Sequence, residues 1–413
     1  MYLKGCMNER PQIRYVDAFP IEANGQKLIC LRDLEGLMEE PLAVSHHVYF
    51  LLTLMDGRHT VDDLAEGFAH QFDGTRIPEG QIEELIKQLD EACLLDNARS
   101  QNLRAEREQM FRASPVRPSA HAGQSYPLNG EELGRAIDAF FEPPEGPGSP
   151  GAPGPTPVKG LIAPHIDFRR GGPCFAWAYR ALAEAPPPDV FVVFGTGHSA
   201  RRPFVLSRKD FETPLGTLKA DSEVIDRMVE NIPQDLFEDE FAHREEHSIE
   251  FQAVFLKYLF PDREIPFVPV LCGSFHEMVQ GQYSPMSSPA VSGFVKGLKQ
   301  SLDASGKRVC FIAGVDLSHV GARFGDSEPL SEGFIEGVEN SDRALLEASG
   351  AMDAEGFFEV VTRECDRTRV CGTSSIYTML QAMEAEGGEL LKYDQAIDEE
   401  AQSMVSFASM VFY

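Results

Sequence analysis

Three apolar runs in this chain each end on a residue that can bind a metal or move a proton. "VKGLIAP" (158–164) hands over to His165. "VFVVF" (190–194) passes through Gly-Thr-Gly to His198. "VCFIAGV" (309–315) ends on Asp316, with His319 three residues further on. Imidazole and carboxylate are the usual ligands of a redox or Lewis-acidic metal, and imidazole titrates close enough to neutrality to act as an acid or a base. Two helix-like segments add to the set. "EEHSIEFQAVFLKYLF" (245–260) opens with His247 and Glu250, which i, i+3 spacing puts on one face. "CGTSSIYTMLQAMEAEG" (371–387) places Cys371 near a helix amino terminus, where the dipole favours thiolate. Such a thiolate can bind a metal, act as a nucleophile or stay buried and inert. A further pattern, "HREEH" (243–247), fits H-x-x-E-H, in which His243 and His247 would hold zinc and Glu246 would act as base. It lies in an acidic run and is read as the less favoured site.

These residues need a scaffold that brings them to one place. The apolar runs, with "IPFVPVL" (265–271) and a closing "SMVSFASMVF" (403–412), alternate with amphipathic helical patterns such as "NGEELGRAIDAFFE" (129–142). That alternation predicts an α/β fold with a central mixed, largely parallel sheet flanked by helices. In open sheets of this kind ligands bind beyond the carboxyl ends of the strands, where His165, His198 and Asp316 are expected. The glycines around His198 are expected to let the backbone turn sharply and approach a ligand. Residues 143–157, with 11 of 15 positions Pro or Gly, read as a flexible or polyproline-like insertion.

The first hundred residues read as a separate module. "QKLICLRD" predicts a strand and "SHHVYFLLTLMDG" a helix ending near Gly57. "TVDDLAEGFAHQF" opens close to a capping box with Thr60 and Asp63. "GQIEELIKQLDEACLLD" puts Ile82, Leu85, Ile86 and Leu89 on one helix face. Strand–helix–helix–helix of this size suggests a winged helix at 1–100. Asp56, Asp62, Asp63 and Glu66 argue against a DNA role. A polar stretch at 101–116 reads as the linker to the main domain, 117–413.

The formal net charge of −28 disfavours nucleic acid as a partner. No run approaches the roughly 18 apolar residues of a membrane span, and "MYLKGCMNERPQIR" lacks a signal-peptide core, so a cytoplasmic setting is expected. The eight cysteines contain no C-x-x-C pair, which fits reduced, mostly buried thiols.

Together "HAGQSYP", "LIAPHIDFRRGG", "GTGHS", "EEHSIEF", "DLSHVG" and the Cys-Gly at 371–372 resemble, in order and spacing, the Memo family, also described as the B component of the AmmeMemoRadiSam system. The resemblance covers about 117–413. It implies a fold like that of class III extradiol dioxygenases, which hold non-haem iron with two histidines and a carboxylate. On that basis His165 and His198 match the two histidine ligands, and Cys371 stands where the carboxylate would be. His319 matches the acid–base histidine, while Asp316 and His247 match further pocket residues. A thiolate at the third position moves the expected metal toward iron or copper, with zinc also compatible, and away from extradiol ring cleavage. The resemblance further implies a small-molecule or peptide substrate, and AMMECR-type and radical-SAM partner proteins. The amino-terminal module is similar to PqqD-like peptide-binding domains, chiefly through "MDGRHTVDDLAEGF". The expected function is a metal-dependent redox protein; the alternative is a non-catalytic peptide- or protein-binding protein that uses the same pocket.

Overall fold

The structure, a computed structural model, describes residues 10–413 apart from 24, 34 and 39. Cys6 and most of the opening segment read above for a signal peptide lie outside the described residues. The chain divides into two units, one running to Ala113 and one from Ser114 to Tyr413. No helix among the described residues is long and apolar enough to cross a membrane.

The first unit has an antiparallel sheet, β1 (Asp17–Ala23), β2 (Gln26–Arg32) and β3 (Leu42–Val44), followed by α1 (His46–Leu54), α2 (Val61–Gln71), α3 (Gln81–Glu91) and α4 (Ala98–Ala113). Thr60 and Asp63 close the capping box of α2, and Ile82, Ile86 and Leu89 form the buried face of α3. Sequence patterning predicts only the middle strand. β1 carries Pro20 and pairs on one side only, the edge position where proline is tolerated, and β3 is too short to alternate. Much of the segment read as a linker is helical: α4 runs to Ala113 and buries only Ser100 and Phe111, so it has good helix formers but no apolar periodicity to reveal it.

A buried carboxylate fastens the end of β2. Asp33 accepts hydrogen bonds from Arg14 Nη2 (2.7 Å) and from the backbone N–H of Glu35 (3.0 Å), Leu37 (2.7 Å) and Met38 (2.9 Å). Burial alone would raise its pKa, but the Arg14 guanidinium and these N–H groups outweigh it and hold the carboxyl below its usual range. Asp33→Asn is therefore expected to cost about 1.5–3 kcal/mol, the range for hydrogen bonds to a charged group. Because the folded pKa is depressed, that contribution is present above the unfolded value, about 3.9, and is lost as pH falls through the lower folded value. Hydrogen exchange across residues 27–44 should show the variant opening more readily at pH 7, with the difference from wild type shrinking below pH 4. Equal protection at pH 7 would contradict the assignment.

In the second unit a two-residue β4 (Val116–Arg117) and α5 (Gly130–Phe140) precede the main sheet. The elements that follow are β5 (Gly160–Ala163), α6 (Phe168–Ala183), β6 (Val190–Thr196), β7 (Phe204–Leu206), β8 (Asp210–Thr213), β9 (Gly216–Leu218), α7 (Ser222–Asn231), α8 (His247–Leu259), β10 (Phe267–Cys272), α9 (His276–Gly281), α10 (Pro289–Ser305) and β11 (Val309–Gly314). The chain ends with β12 (His319–Gly321), α11 (Glu332–Gly350), α12 (Ala354–Arg363), α13 (Thr373–Ala382), β13 (Gly388–Asp398) and β14 (Ser403–Phe412). The main sheet has the order β12-β14-β5-β11-β6-β10-β7, with β13 also paired to β14. The four central strands, β5, β11, β6 and β10, are parallel; β14 joins β5 and β7 joins β10 antiparallel. The fold is the expected α/β architecture with a mixed sheet.

The central strands are buried on both faces, which is why they read as unbroken apolar runs. Val190, Val192 and Phe194 of β6 pack on one side with α7, α10, α12 and α13, whereas Phe191 and Val193 pack on the other with α5, α6 and α8. The Pro/Gly-rich insertion is not a free excursion. Gly151 and Gly154 donate backbone N–H bonds to Glu184 (2.8 and 2.7 Å), and the Trp177 indole donates to Glu145 O (3.1 Å), so the segment is tied to α6.

Candidate metal centre

Because β5, β11 and β6 are adjacent and parallel, their carboxyl ends lie level, Gly314 pairing with Ala163 on one side and Gly195 on the other. Two or three residues later come His165, Asp316 and His198. Helix α8 then lays its first turn across this edge. A Cβ on Gly195 would stand 2.5 Å from Ser248 Oγ, and one on Gly314 would stand 2.5 Å from Ser248 O. Glycine is needed here so that the start of α8 can settle on the strands, rather than for a sharp turn toward a ligand. The close approach brings His247 into the centre.

The ligand atoms of His165, His198 and His247 all lie within 4.8 Å of one another. Ring centroids are 5.1 Å apart for His165 and His198, 5.0 Å for His165 and His247, and 4.9 Å for His198 and His247. Cys371 stands beside them, its Sγ 3.4 Å from His165 Nε2. Asp316 Oδ2 is 3.7 Å from the same nitrogen, and Asp316 Oδ1 accepts the N–H of His165 (2.9 Å) and Ile166 (3.1 Å). His319 bonds Leu317 O through Nδ1 (3.1 Å).

The imidazoles are set by acceptors behind them. His165 Nδ1 faces Gly314 O at 3.1 Å, and His198 Nδ1 faces both oxygens of Glu246 at 3.0 Å. His247 Nδ1 lies 3.3 Å from Glu246 Oε1. A carbonyl or carboxylate can only accept, so Nδ1 of His165 and of His198 carries the proton and their Nε2 keeps the lone pair, whereas the His247 ring is placed beside Glu246 without a hydrogen bond to it. Glu246 itself is the side-chain cap of α8, accepting N–H bonds from His198 (2.9 Å), His247 (2.9 Å) and Ser248 (3.1 Å). Burial alone would raise its pKa, but the His198 ring, which bonds it, and the Ser248 N–H overcome this and hold it well below its ordinary value. Burial drives His165 down to about 3, His247 well below its usual value and His319 downward, so these rings are neutral lone-pair donors at pH 7. Burial first, and then the Asp316 carboxylate, push the Cys371 thiol well above its usual pKa, so the helix terminus does not by itself produce a thiolate. A bound cation is what would reverse that.

This donor set fits a metal ion. Ligand bonds of about 2.0–2.1 Å to nitrogen and 2.3 Å to sulfur place tetrahedral N and S donors about 3.5 Å apart, close to the Cys371–His165 separation. The ligand atoms of the three imidazoles, all within 4.8 Å of one another, are spaced widely enough to share one ion.

The H-x-x-E-H reading does not hold geometrically. His243 ends a short 3-10 turn, Glu240–His243, before α8 begins, and its Nε2 bonds Val205 O at 3.0 Å. It does not converge with His247, and Glu246 is engaged as the anchor of the His198 ring and the cap of α8. Sequence reading missed that anchoring role. The only hint is a glutamate in the capping position immediately before a histidine-led helix.

The sequence model of the Memo-like protein family matches residues 117–411. The chain belongs to the Memo family. A MEMO1 family protein of Aquifex aeolicus is 32% identical over 98% of this chain and 100% of its own length. Another, from Methanopyrus kandleri, is 31% identical over 72% of this chain and 98% of its own, and one from Thermus thermophilus is 27% identical over 86% and 100%. The Memo match covers the whole main sheet and every residue of the candidate centre, while the Aquifex alignment extends through most of the amino-terminal unit as well.

Proposed function

We propose that this Memo-family chain is a metal-dependent redox protein whose centre lies at the carboxyl edge of β5, β11 and β6. The observation that supports this reading is the convergence of three imidazoles, two of them anchored through Nδ1, with a thiol and a buried carboxylate. His165 and His198 would hold the metal, completed by a donor beside them, and Asp316 would orient the His165 loop through its two backbone hydrogen bonds. Bound iron or copper would supply one-electron chemistry and Lewis acidity at an open position. His319, proton-bearing at Nδ1 and basic at Nε2, would accept a proton from a substrate hydroxyl or amine and return it. The expected setting is the cytoplasm, where Cys371 stays reduced. The substrate is a small molecule or a peptide group, and AMMECR-type and radical-SAM proteins are the proposed partners.

Apo protein loaded anaerobically with iron(II) or copper(I) and then given oxygen should consume it faster than the free ion. His319→Ala should retain the metal and lower uptake by about 10²–10⁴-fold, the range for loss of a general acid–base. Loaded protein that consumes oxygen no faster than the free ion would favour the alternative, a non-catalytic peptide-binding pocket.

A further inference from the structure

Four donors surround a centre that needs only three while keeping a position open. His165 and His198 follow the level ends of β5 and β6 and are held from behind by Gly314 O and Glu246. The third place is contested by two residues of different chemistry on separate elements. His247 is the first residue of α8, its ring stacked on that of His198 at an interplanar angle of 15° and its ligand atom within 4.8 Å of those of His165 and His198. Cys371 comes from a loop in which Cys365, Asp366 and Arg369, none of them glycine, adopt left-handed backbone with φ between 51° and 54°. Such conformations cost of order 1–3 kcal/mol each and persist where the surroundings impose them. This loop is held to the Asp316–His319 segment by His319 N to Thr368 O (2.7 Å), Cys371 N to Leu317 O (3.2 Å) and Gly372 N to Asp316 O (3.1 Å). The thiol is thus presented to His165 at 3.4 Å by one element, while the imidazole is presented by another.

We propose that His165 and His198 are shared by two alternative ligand sets, one completed by the His247 imidazole and one by the Cys371 thiolate, and that the softness of the cation selects between them. The inference rests on the metal-centre reading above. Thiolate favours a soft ion such as copper(I), whereas imidazole suits cobalt(II) or nickel(II). Gly314 O and Glu246 hold the His165 and His198 rings common to both sets, and the strained loop keeps the thiol within reach.

The test titrates apo protein separately with cobalt(II) and copper(I), using competing chelators, and records the cobalt spectrum. Cobalt bound to wild type should show no thiolate-to-cobalt charge-transfer band. His247→Ala should weaken cobalt(II) by about tenfold or more and leave copper(I) within about threefold; Cys371→Ser should do the reverse. A charge-transfer band in wild type, or a Cys371→Ser variant that weakens both ions alike, overturns the proposal. The cobalt spectrum needs no variant, so it decides even if His247→Ala does not fold. Tight binding of both ions by the His165→Ala/His198→Ala double variant would instead overturn the metal-centre reading itself, a distinguishable result.

Discussion

Replacing His165 and His198 together by alanine will abolish stoichiometric metal binding while leaving the main sheet folded. Both rings follow strand ends that are buried and hydrogen-bonded independently of them, so the scaffold does not depend on the imidazoles. What is lost is the lone pairs common to any three-donor set. The cost to folding is confined to the acceptors left behind, chiefly Gly314 O behind His165, at about 1–3 kcal/mol for an unsatisfied buried group. Glu246→Gln gives the graded counterpart. It keeps the shape but turns part of the anchor into a donor, so the His198 ring loses its acceptor and the His247 ring the charge beside it, and metal affinity should fall by about 10–100-fold, the range for loss of such an outer partner. Metal analysis after dialysis against a weak chelator checks both. A double variant that still carries stoichiometric metal places the centre elsewhere.

The second large effect is on stability. Arg117 and Glu250 are both fully buried and form an ion pair, and Arg117 also donates to His243 O (2.9 Å), Glu246 O (2.8 Å) and Pro118 O (3.1 Å). Glu250 in turn accepts the Tyr126 hydroxyl and the N–H groups of Ala120 (3.0 Å) and His121 (2.9 Å). One charge pair thereby fixes residues 117–126 against the start of α8, where Glu246 and His247 stand. Removing one partner strands the other charge without water, so Glu250→Ala should cost about 3–5 kcal/mol, a large share of the 5–15 kcal/mol typical of a domain. Arg117→Met combined with Glu250→Met should lose less than the sum of the single variants, because no charge is left buried. Burial would raise the Glu250 pKa, but Arg117 outweighs it and holds the carboxyl below its ordinary range. Its contribution is therefore complete above the unfolded value, about 4.3, and is lost only as pH falls through the lower folded value. Trp177 is the only tryptophan of the chain and sits on α6 of the same unit, so urea unfolding followed by its fluorescence reads the result directly. A Glu250→Ala cost below about 1 kcal/mol would mean that the pair is hydrated and not the anchor described.

The sequence by itself determined which segments become buried strands and what stands at their ends. Unbroken runs such as 190–194, short and rich in β-branched and aromatic residues, favour strands covered on both faces, and His165, His198 and Asp316 follow them whatever the topology. It also determined local devices whose partners lie a few residues away, such as the Thr60–Asp63 cap and the Ile82–Ile86–Leu89 face. The weakly buried α4 and the proline-bearing edge strand β1 lacked such local signals. The tertiary structure alone decided which strand ends are neighbours, since period-two burial identifies a face but not the next strand in the sheet. It decided that His247, rather than His243, reaches the centre, because i, i+4 spacing has meaning only within one helix and this chain changes from a 3-10 turn to α8 between them. It also decided the roles of Glu246, Glu250 and Arg117. A buried charge is stable only beside partners that long-range packing supplies, and nothing in the composition of 117, 246 or 250 names partners up to 133 residues away.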